Sequence, residues 1–213
     1  MRSLNDLNDM KIVLASSNKN KIAELSTILT SVLGEGIEVI TIKEAGITDE
    51  IIEDGSTFAE NALIKARTAA KSGMIGIGDD SGLTVDALDG APGIFSARYA
   101  GEHGNDALNN QKLLSDMNDK DDRRASFVCC IACVFPDGRE EIVSHGYIHG
   151  EILREARGEG GFGYDPLFYV KEIGKTLAEV EASEKNLVSH RANALKAFAE
   201  EFKKSLSNQS IID

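Results

Sequence analysis

The sequence has few positive charges for its length. Its 213 residues include 23 lysines and arginines against 35 aspartates and glutamates, which gives a formal net charge of −12. Proteins that bind DNA or RNA need a basic surface, because phosphate contacts supply most of the non-specific affinity. The composition therefore predicts no nucleic-acid partner. Any phosphate-bearing ligand must be held by local cations or by a metal ion.

Long apolar runs are also missing. The first fifteen residues contain nothing typical of a signal peptide, and no segment approaches the roughly 20 apolar residues of a membrane-spanning helix. We therefore expect no membrane association. The main domain is predicted to cover residues 10–206, with tails at 1–9 and 207–213.

Cysteine is scarce, and the three cysteines lie together in the stretch CCIAC at 129–133. Cys130 and Cys133 have C-x-x-C spacing. However, a zinc or redox site needs a second pair or a turn, and this stretch is typical of the middle of a strand. We predict that the thiols pack in the core. An odd number of thiols without a signal peptide indicates a cytoplasmic protein.

Apolar periodicity in the first half predicts strands that alternate with helices. Strands are expected at 11–15, 37–42 and 74–78, and a capping box at Thr57 opens the helix before the third of these. That third strand is expected to break at DDSG, after which LTV at 83–85 resumes it.

The second half adds an antiparallel element. The segments 125–135 and 140–152 flank the turn PDGR and are predicted to form a long hairpin. A further strand is predicted at 165–170, and one last helix at 186–206 with Leu187 on its apolar face. Interleaved helices and strands with one hairpin indicate the α/β class with a mixed sheet.

The stretch SSNKNK, which begins at Ser16, places small polar residues where a strand meets a helix. The N–H groups at a helix N-terminus bind anions. Ser16, Ser17 and Asn18 can donate further hydrogen bonds, and Lys21 adds a cation. The alternative is that these residues only cap the helix and the lysines face water. The glycines of a Walker loop are missing.

Paired carboxylates follow the third predicted strand. Ligands of α/β sheets bind at the ends of strands, and Mg²⁺ prefers carboxylate oxygens, so Asp79 and Asp80 are candidates for a metal site. The two side chains would point to opposite sides if the strand continued. Glu53, just ahead of the capped helix, is a candidate for a further ligand. The alternative is an Asx-type turn that faces solvent.

The stretch GEGGFGYDPLF at 158–168 matches G-x-G-x-x-G, but a strand rather than a helix is predicted to follow it, so we reject a dinucleotide site. We expect a glycine-rich loop that presents Phe162 and Tyr164 for stacking on a base. The alternative is that both rings fold into the core. Three cations gather near the start of the last helix: Lys185, His190 and Arg191.

Four of these motifs, in this order, closely resemble the inosine triphosphatase family: SSNKNK, GDDSGLTVDALDGAPGIFSARYAG, GGFGYDPLF and SEKNLVSHRANAL. The resemblance implies a two-lobed α/β fold around a long, twisted, mixed sheet flanked by helices, with the active site in the cleft. It also implies a homodimer and Mg²⁺-dependent hydrolysis of inosine, deoxyinosine and xanthosine triphosphates to the monophosphate and pyrophosphate, with Mn²⁺ as an alternative ion. Such an enzyme cleanses the nucleotide pool of deaminated bases.

The resemblance also implies roles for single residues. Asp80 is the catalytic acid–base carboxylate and a metal ligand, with Glu53 as the second ligand. The residues implied to bind substrate are Ser16, Ser17, Asn18, Lys21, Ser81, Phe162, Gly163, Tyr164, Asp165, Lys185, His190 and Arg191. One departure is visible: the family usually has Thr-Gly-Asn where this chain has Ser16-Ser17-Asn18, so a side chain stands where backbone would approach phosphate.

Three alternatives stay open at this point. One is a nucleotide-binding regulator without turnover, although a binder gains nothing from several carboxylates. The second is a pyrophosphatase for modified pyrimidine nucleotides, which differs in the triphosphates that it cleaves. The third is an oxidoreductase built on the glycine pattern, which would have to bind a nicotinamide dinucleotide.

Overall fold

A computed structural model of the chain describes residues 10–16, 18–34 and 36–208. Its strands are β1 (Met10–Leu14), β2 (Ile37–Thr41), β3 (Ile75–Val85), β4 (Arg124–Val134), β5 (Ile142–Ile152), β6 (Phe168–Val170) and β7 (Lys175–Thr176). Its α-helices are α1 (Lys19–Leu33), α2 (Phe58–Ala70), α3 (Asp106–Asp116), α4 (Ala182–Val188) and α5 (His190–Asn208). Short 3-10 turns lie at Asp86–Leu88, Gly93–Arg98 and Leu177–Glu179.

The described strands form one seven-stranded sheet in the order β2-β1-β3-β4-β5-β6-β7. β1 pairs in parallel with both β2 and β3, whereas β6 pairs antiparallel with both β5 and β7. The sheet is therefore mixed, and the predicted α/β class is confirmed. Strands β4 and β5 are neighbours in the sheet, as the hairpin prediction requires.

The described chain divides into two compact units. The first contains the described residues up to Asp80, the segment Cys130–Gly146 and the residues from Arg191 onward. The second contains Ser81–Cys129 and Tyr147–His190. The prediction of a single domain with a cleft between lobes stays a prediction.

Helix α2 lies directly on β3 in the first unit, because two glycines of the strand remove the usual side-chain layer. A Cβ at Gly78 would stand 2.1 Å from the carbonyl oxygen of Ala62, and a Cβ at Gly76 would stand 2.2 Å from that of Ala66. Real Cβ atoms do not approach a carbonyl so closely. The motif GIG, together with fully buried alanines on the helix, therefore sets the spacing between α2 and β3.

The second unit has its own apolar core. Leu83, Leu113, Met117, Leu167 and Phe168 are fully buried in it, and the rings of Phe127 and Phe168 lie 4.6 Å apart between centroids. These residues come from β3, α3, β4 and the region around β6. The core thus fixes α3 and the chain before β6, which later carry residues of the candidate site.

Strand β3 corrects one prediction, because it runs unbroken through DDSG from Ile75 to Val85. Asp79 and Asp80 are nearly fully buried in it. A buried charge is costly unless it is paired, and both carboxylates find cationic partners far away in the sequence. Those partners keep the strand extended where a turn was predicted.

The chain before β6 and the last helix also differ from prediction. Strand β6 begins only at Phe168, since Tyr164–Leu167 form turns in which the amides of Leu167 and Phe168 donate to the carbonyl of Tyr164. The predicted last helix is divided at Ser189, whose extended backbone (φ −67°, ψ 160°) separates α4 from α5. Leu187 is 65% exposed on α4 and does not extend the apolar face of α5.

The cysteine prediction is confirmed, since Cys129, Cys130 and Cys133 are outside any disulfide and fully buried in β4. The tail predicted at 1–9 lies outside the described residues, as do residues 209–213 of the tail predicted at 207–213. Residues 207 and 208 of that second tail belong to α5, which continues through Asn208. Every helix in the described part of the chain is too short or too polar to cross a bilayer.

Candidate active site

Asp80 lies in a compact charged group in the first unit, centred on Lys65. The ammonium of Lys65, on α2, donates to Asp80 Oδ1 at 2.9 Å and to the carbonyl oxygen of Asp79 at 3.1 Å. It also contacts Glu53 Oε2 at 2.7 Å. An ammonium has three donors, so these contacts use all of them. The predicted pair of Asp80 and Glu53 is thus brought to one cation.

Asn61 fixes the second oxygen of Asp80. Its amide oxygen accepts the N–H of Gly55 at 2.9 Å, so its amino group faces Asp80 Oδ2 at 3.3 Å. Gly55 must be glycine here, because a Cβ would stand 2.7 Å from that amide oxygen. Both oxygens of Asp80 therefore have donors, and one turn of α2 supplies both donors.

Burial raises the pKa of Asp80 above its ordinary value, although the ammonium groups of Lys65 and Lys21 act in the opposite direction. Burial alone would lower the pKa of Lys65, but the carboxylates of Asp80 and Glu53 outweigh it and raise that pKa. Lys65 therefore stays an ammonium. Asp80 is a stronger base than an exposed aspartate, which suits a group that accepts a proton from water.

The same group fits a Mg²⁺ ion. Glu53 and Asp80 each place an oxygen within 2.9 Å of the nitrogen of Lys65, so the two carboxylates lie close enough together to share one cation. Mg²⁺ takes oxygen ligands and is usually held by one or two carboxylates together with water and substrate phosphates. Among the described residues, no larger cluster of metal-binding side chains exists. Within the part of the chain that the structure describes, Glu53 and Asp80 are therefore the candidate ligands.

Asp79 has a different environment from its neighbour. Its side chain is fully buried, with Oδ1 2.7 Å from the ammonium of Lys21 and Oδ2 3.1 Å from Nε of Arg191. Arg191 in turn donates to Glu24 at 2.6 Å. The prediction that the two aspartates point to opposite sides of the strand agrees with these separate partners. Asp79 serves to fix Lys21 and Arg191.

The turn before α1 is closed by hydrogen bonds among its own residues. Asn18 Oδ1 accepts the N–H of Lys21 at 3.1 Å, and Ser16 Oγ accepts the N–H of Asn18 at 3.3 Å. Asn18 thus caps the first turn of the helix, as the alternative interpretation held, while Lys21 is only partly exposed and lies against Asp79 rather than in water. Ser17 lies outside the described residues, so its predicted role stays a prediction.

The glycine-rich loop in the second unit is tied to Lys185. Asp165 Oδ2 accepts the N–H of Phe162 at 2.9 Å and pairs with the ammonium of Lys185 at 2.6 Å. That ammonium lies over the Phe162 ring, 4.7 Å from its centroid. Gly161 allows this arrangement, because a Cβ there would stand 2.2 Å from Asp165 Oδ2. Phe162, Asp165 and Lys185 therefore form one group, as predicted.

Tyr164 corrects a prediction. It is 4% exposed, belongs to the core of the second unit, and its hydroxyl donates to the carbonyl oxygen of Ser96 at 2.8 Å. Its ring therefore cannot stack on a ligand, and Phe162 is the one half-buried aromatic of the loop. His190 is buried as well and stacks on Phe127 with ring centroids 4.9 Å apart.

Arg191 is the other predicted residue with an unexpected environment. Its side chain is 1% exposed and is held in the first unit by Asp79 and Glu24. Its predicted part in binding the base stays a prediction. Ser81 follows Asp80 in β3 and is half-buried, and its predicted contact with substrate stays a prediction.

Comparison with known proteins extends these observations. A model of the Ham1 family matches residues 12–201 of the chain. The chain belongs to the Ham1 family. Among curated members, a dITP/XTP pyrophosphatase of Clostridium perfringens is 48% identical over 202 residues, which cover 91% of this chain and 97% of that protein. Another dITP/XTP pyrophosphatase, of Desulforamulus reducens, is 50% identical over 190 residues, 88% of this chain and 92% of that protein.

Solved structures of Ham1 proteins share the fold. A HAM1 protein from Coxiella burnetii superposes with a TM-score of 0.82 at 45% identity, covering 92% of this chain and 99% of that one. A Ham1 protein of Staphylococcus aureus gives a TM-score of 0.81 at 43% identity, covering 92% of this chain and 99% of that one. The motif-based assignment and the predicted fold are confirmed.

Sequence reasoning missed three residues of this Ham1 site: Asn61, Lys65 and Glu24. A signal for the first two exists, because Asn61 and Lys65 lie on the same helical face as the buried alanines Ala62, Ala66 and Ala69. Polar residues that recur at the buried positions of an amphipathic helix indicate a buried polar contact. Glu24 shows no comparable signal.

Proposed function

We propose that this protein is a nucleoside triphosphate pyrophosphatase. It hydrolyses non-canonical purine nucleotides (ITP, dITP and XTP) to the monophosphate and pyrophosphate, and so keeps deaminated bases out of DNA and RNA. The observation that carries the proposal is the group of Asp80, Glu53 and Lys65, in which a basic carboxylate, a second carboxylate and an ammonium converge. The names of the curated Ham1 relatives, dITP/XTP pyrophosphatases, support the substrate class.

Glu53 and Asp80 are the proposed ligands of Mg²⁺, with Mn²⁺ as an alternative ion. A bound divalent ion supplies charge neutralisation of the phosphates and lowers the pKa of a water molecule. The protein's own part is to hold the two carboxylate oxygens in place through Lys65 and Asn61. Lys65 also offers a positive charge to a phosphate oxygen that approaches this group.

Asp80 is the proposed general base. It accepts a proton from the water whose oxygen attacks the α-phosphorus, the bond from that phosphorus to the bridging oxygen breaks, and pyrophosphate leaves. General-base catalysis of this kind contributes typically about 10²–10⁴-fold. Lys21 and the N-terminus of α1 are proposed to stabilise the charge on the departing pyrophosphate. Because Asp79 holds Lys21 at 2.7 Å, that ammonium is positioned before substrate arrives.

Phe162, Lys185 and His190 are the residues proposed to bind the base. One face of the Phe162 ring is covered by the ammonium of Lys185, and the opposite face is the proposed stacking surface. The amides of Phe162 and Gly163 already donate to Asp165 and Asp106, so they are not free to donate to the base. Lys185 and His190 are therefore the proposed donors to the 6-oxo group of hypoxanthine and xanthine.

Selectivity then follows from hydrogen-bond polarity. Adenine carries an amino donor at the position where hypoxanthine and xanthine carry the oxo acceptor, so two donors would face each other. A site built to hydrogen-bond one group rejects the analogue that lacks it by roughly 10⁴-fold. This argument separates the proposed substrates from ATP.

The decisive experiment is pyrophosphate release from ITP, XTP, GTP and ATP, each measured with and without Mg²⁺. We expect fast, Mg²⁺-dependent release from ITP and XTP and slow release from ATP. A modified pyrimidine triphosphate added to the series distinguishes the alternative substrate class. Binding of ITP without release of pyrophosphate would instead identify a nucleotide-binding regulator.

The matched variant for this assay is Asp80→Asn. It keeps the shape of the side chain and removes its capacity to accept a proton, so we expect turnover of ITP to fall by about 10²–10⁴-fold. Circular dichroism and thermal unfolding check that the fold is retained. A variant that turns over ITP at nearly the wild-type rate would contradict the role assigned to Asp80.

Two further proposals rest on membership of the Ham1 family alone. We propose that the protein is a homodimer and that it acts in the cytoplasm, where nucleotide pools are maintained.

A further inference from the structure

Helix α3 holds the glycine-rich loop by hydrogen bonds to both backbone polar groups of Gly163. The N–H of Gly163 donates to Asp106 Oδ2 at 2.7 Å, and the carbonyl oxygen of Gly163 accepts from Nδ2 of Asn110 at 2.8 Å. Asp106 and Asn110 are four residues apart, so they stand one above the other on the same face of α3. One helical face therefore holds both polar groups of one residue in the loop.

These two hydrogen bonds also affect Phe162, because Phe162 and Gly163 are adjacent in the chain. Gly163 has a φ of +63°, in the left-handed region that favours glycine, and its N–H bond to Asp106 fixes the peptide unit that joins it to Phe162. The N–H of Phe162 is held separately by Asp165. The backbone is thus fixed on both sides of Phe162, which fixes the point from which its ring extends to Lys185.

Helix α3 is itself held in the second unit by several contacts. Leu113 and Met117, at its C-terminal end, are fully buried in the core. Asn105 caps its N-terminus by accepting the N–H of Leu108 at 3.1 Å. Asn109 accepts from the N–H of Ala100 at 2.8 Å. Asp106 and Asn110 are therefore fixed points against which the loop is held.

The side chain of Asn110 destabilises the fold in one respect, and this indicates that the residue has a specific role. Its Oδ1 is buried and has no hydrogen-bond partner among the described residues. A buried acceptor without a donor destabilises a protein. The residue type is explained by the one bond that its Nδ2 makes, which is to Gly163.

We propose that Asp106 and Asn110 are positioning residues for recognition of the purine base. They act through Gly163 on the ring of Phe162 and contribute to affinity for the base, without a part in the chemistry at phosphorus. The inference rests on the proposed function, and it assigns a role to a helix that none of the predicted site residues occupies.

The test uses the full-length protein and compares Asp106→Ala with Asp106→Asn. Alanine removes the acceptor for the N–H of Gly163, whereas asparagine keeps an oxygen in that place. A hydrogen bond to a charged group is worth enough to expect a KM for ITP raised roughly ten-fold or more in the alanine variant, with kcat changed by less than about two-fold. Asp106→Asn is expected to restore most of the affinity, and Asn110→Ala to behave like Asp106→Ala.

Two controls separate positioning of the base from a general loss of structure. Gln111→Ala changes an exposed residue of the same helix and is expected to leave KM unchanged. The inhibition constant of inorganic triphosphate, which has no base, is expected to be the same in wild type and in Asp106→Ala. Combining Asp106→Ala with Phe162→Ala is expected to raise KM no further than Phe162→Ala alone, because both changes act through the same ring.

The outcomes distinguish this inference from the proposed function. If the wild-type protein releases no pyrophosphate from ITP, the proposed function fails and this inference fails with it. If the wild type is active but Asp106→Ala and Asn110→Ala keep the wild-type KM, only the positioning role is overturned. Weaker inhibition by inorganic triphosphate in the variants would also overturn it, since a base-positioning residue does not affect that ligand.

Discussion

Asp79 and Asp80 are neighbours of the same residue type, but their side chains have different partners. Asp79 lies between Lys21 and Arg191, whereas Asp80 shares Lys65 with Glu53 and keeps a raised pKa. The alternation of side chains along a strand produces this division, because successive residues face opposite sides. One aspartate is therefore used to fix cations, and the other remains available as a base.

A single glycine decides whether Lys65 can reach Asp80. In Gly78→Ala, the new Cβ would meet the carbonyl oxygen of Ala62 at 2.1 Å, so α2 must move away from β3. We expect the free energy of unfolding to fall by about 3 kcal/mol and pyrophosphate release to fall with it, since α2 carries both Lys65 and Asn61. Urea denaturation and the ITP assay measure the two effects.

The matched control is Gly73→Ala. Gly73 has a positive φ of +77° but open space around it, so alanine there meets only backbone strain of about 1–2 kcal/mol. We expect this variant to keep its activity. Equal losses of stability and activity in the two variants would show that close approach of helix and strand is not what Gly78 provides.

The sequence indicates several charged residues of the candidate site, but not the partners that hold them. Asp80 and Glu53 were predicted as a pair, and their shared contact with Lys65 agrees with that prediction. Lys65 itself was missed because it lies inside a helix, where lysine is usually exposed. The sequence also gives no indication that Asp79 and Glu24 pair with Arg191.

The prediction of whole helices and strands has the same limit, because contacts between residues distant in sequence are not visible in the local pattern. The strand β3 was predicted to break at DDSG because aspartate and glycine favour turns, yet it continues because cations distant in sequence pair with its carboxylates. The helices α1 and α2 were predicted well, since their apolar spacing and the cap at Thr57 are local signals. The division at Ser189 has no such local signal.

The 3-10 turn Leu177–Glu179 allows a test of local electrostatics. Glu179 accepts from Arg157 at 2.9 Å and from the N–H of Thr176 at 2.8 Å. The hydrogen bond from Arg157, followed by that from Thr176, lowers the pKa of Glu179 to about 2 from its ordinary value of 4.5. A lowered pKa in the folded state stabilises the fold above the ordinary value, and this stabilisation is lost as pH falls through the folded value.

We therefore expect Glu179→Gln to be less stable than wild type above pH 5 and equally stable near pH 2, with the difference shrinking across that range. Urea denaturation at a series of pH values measures it. Glu181→Gln, an exposed neighbour without a side-chain cap, is the control and should show little difference from wild type at any of these values. A gap between Glu179→Gln and wild type that stays constant with pH would contradict the assignment.

The whole molecule is acidic, but three of its lysines are held in the charged groups described for the candidate site. With a net charge of −12, the protein repels nucleotides on average. Lys21, Lys65 and Lys185 are the local exceptions, and each is held against a carboxylate until a ligand competes for it. This arrangement explains how an acidic protein can be proposed to bind a triphosphate.

The proposed homodimer is tested at the same level. Sedimentation velocity over a hundred-fold range of concentration is expected to give the mass of two chains at the highest concentration. The mass should fall toward that of one chain only if dissociation lies within the range. A single-chain mass at every concentration would contradict the proposal and would leave the assignment of the active site unaffected.

The three buried cysteines can serve as natural probes of local opening of the protein. Burial, followed by the charges of Asp79 and Asp80, raises the pKa of Cys130 to about 12, so its thiol is neither accessible nor ionised in the native state. Alkylation can occur only in molecules that have opened. Because all three thiols lie in β4, their rate of alkylation measures how often this central strand becomes exposed, without any introduced label.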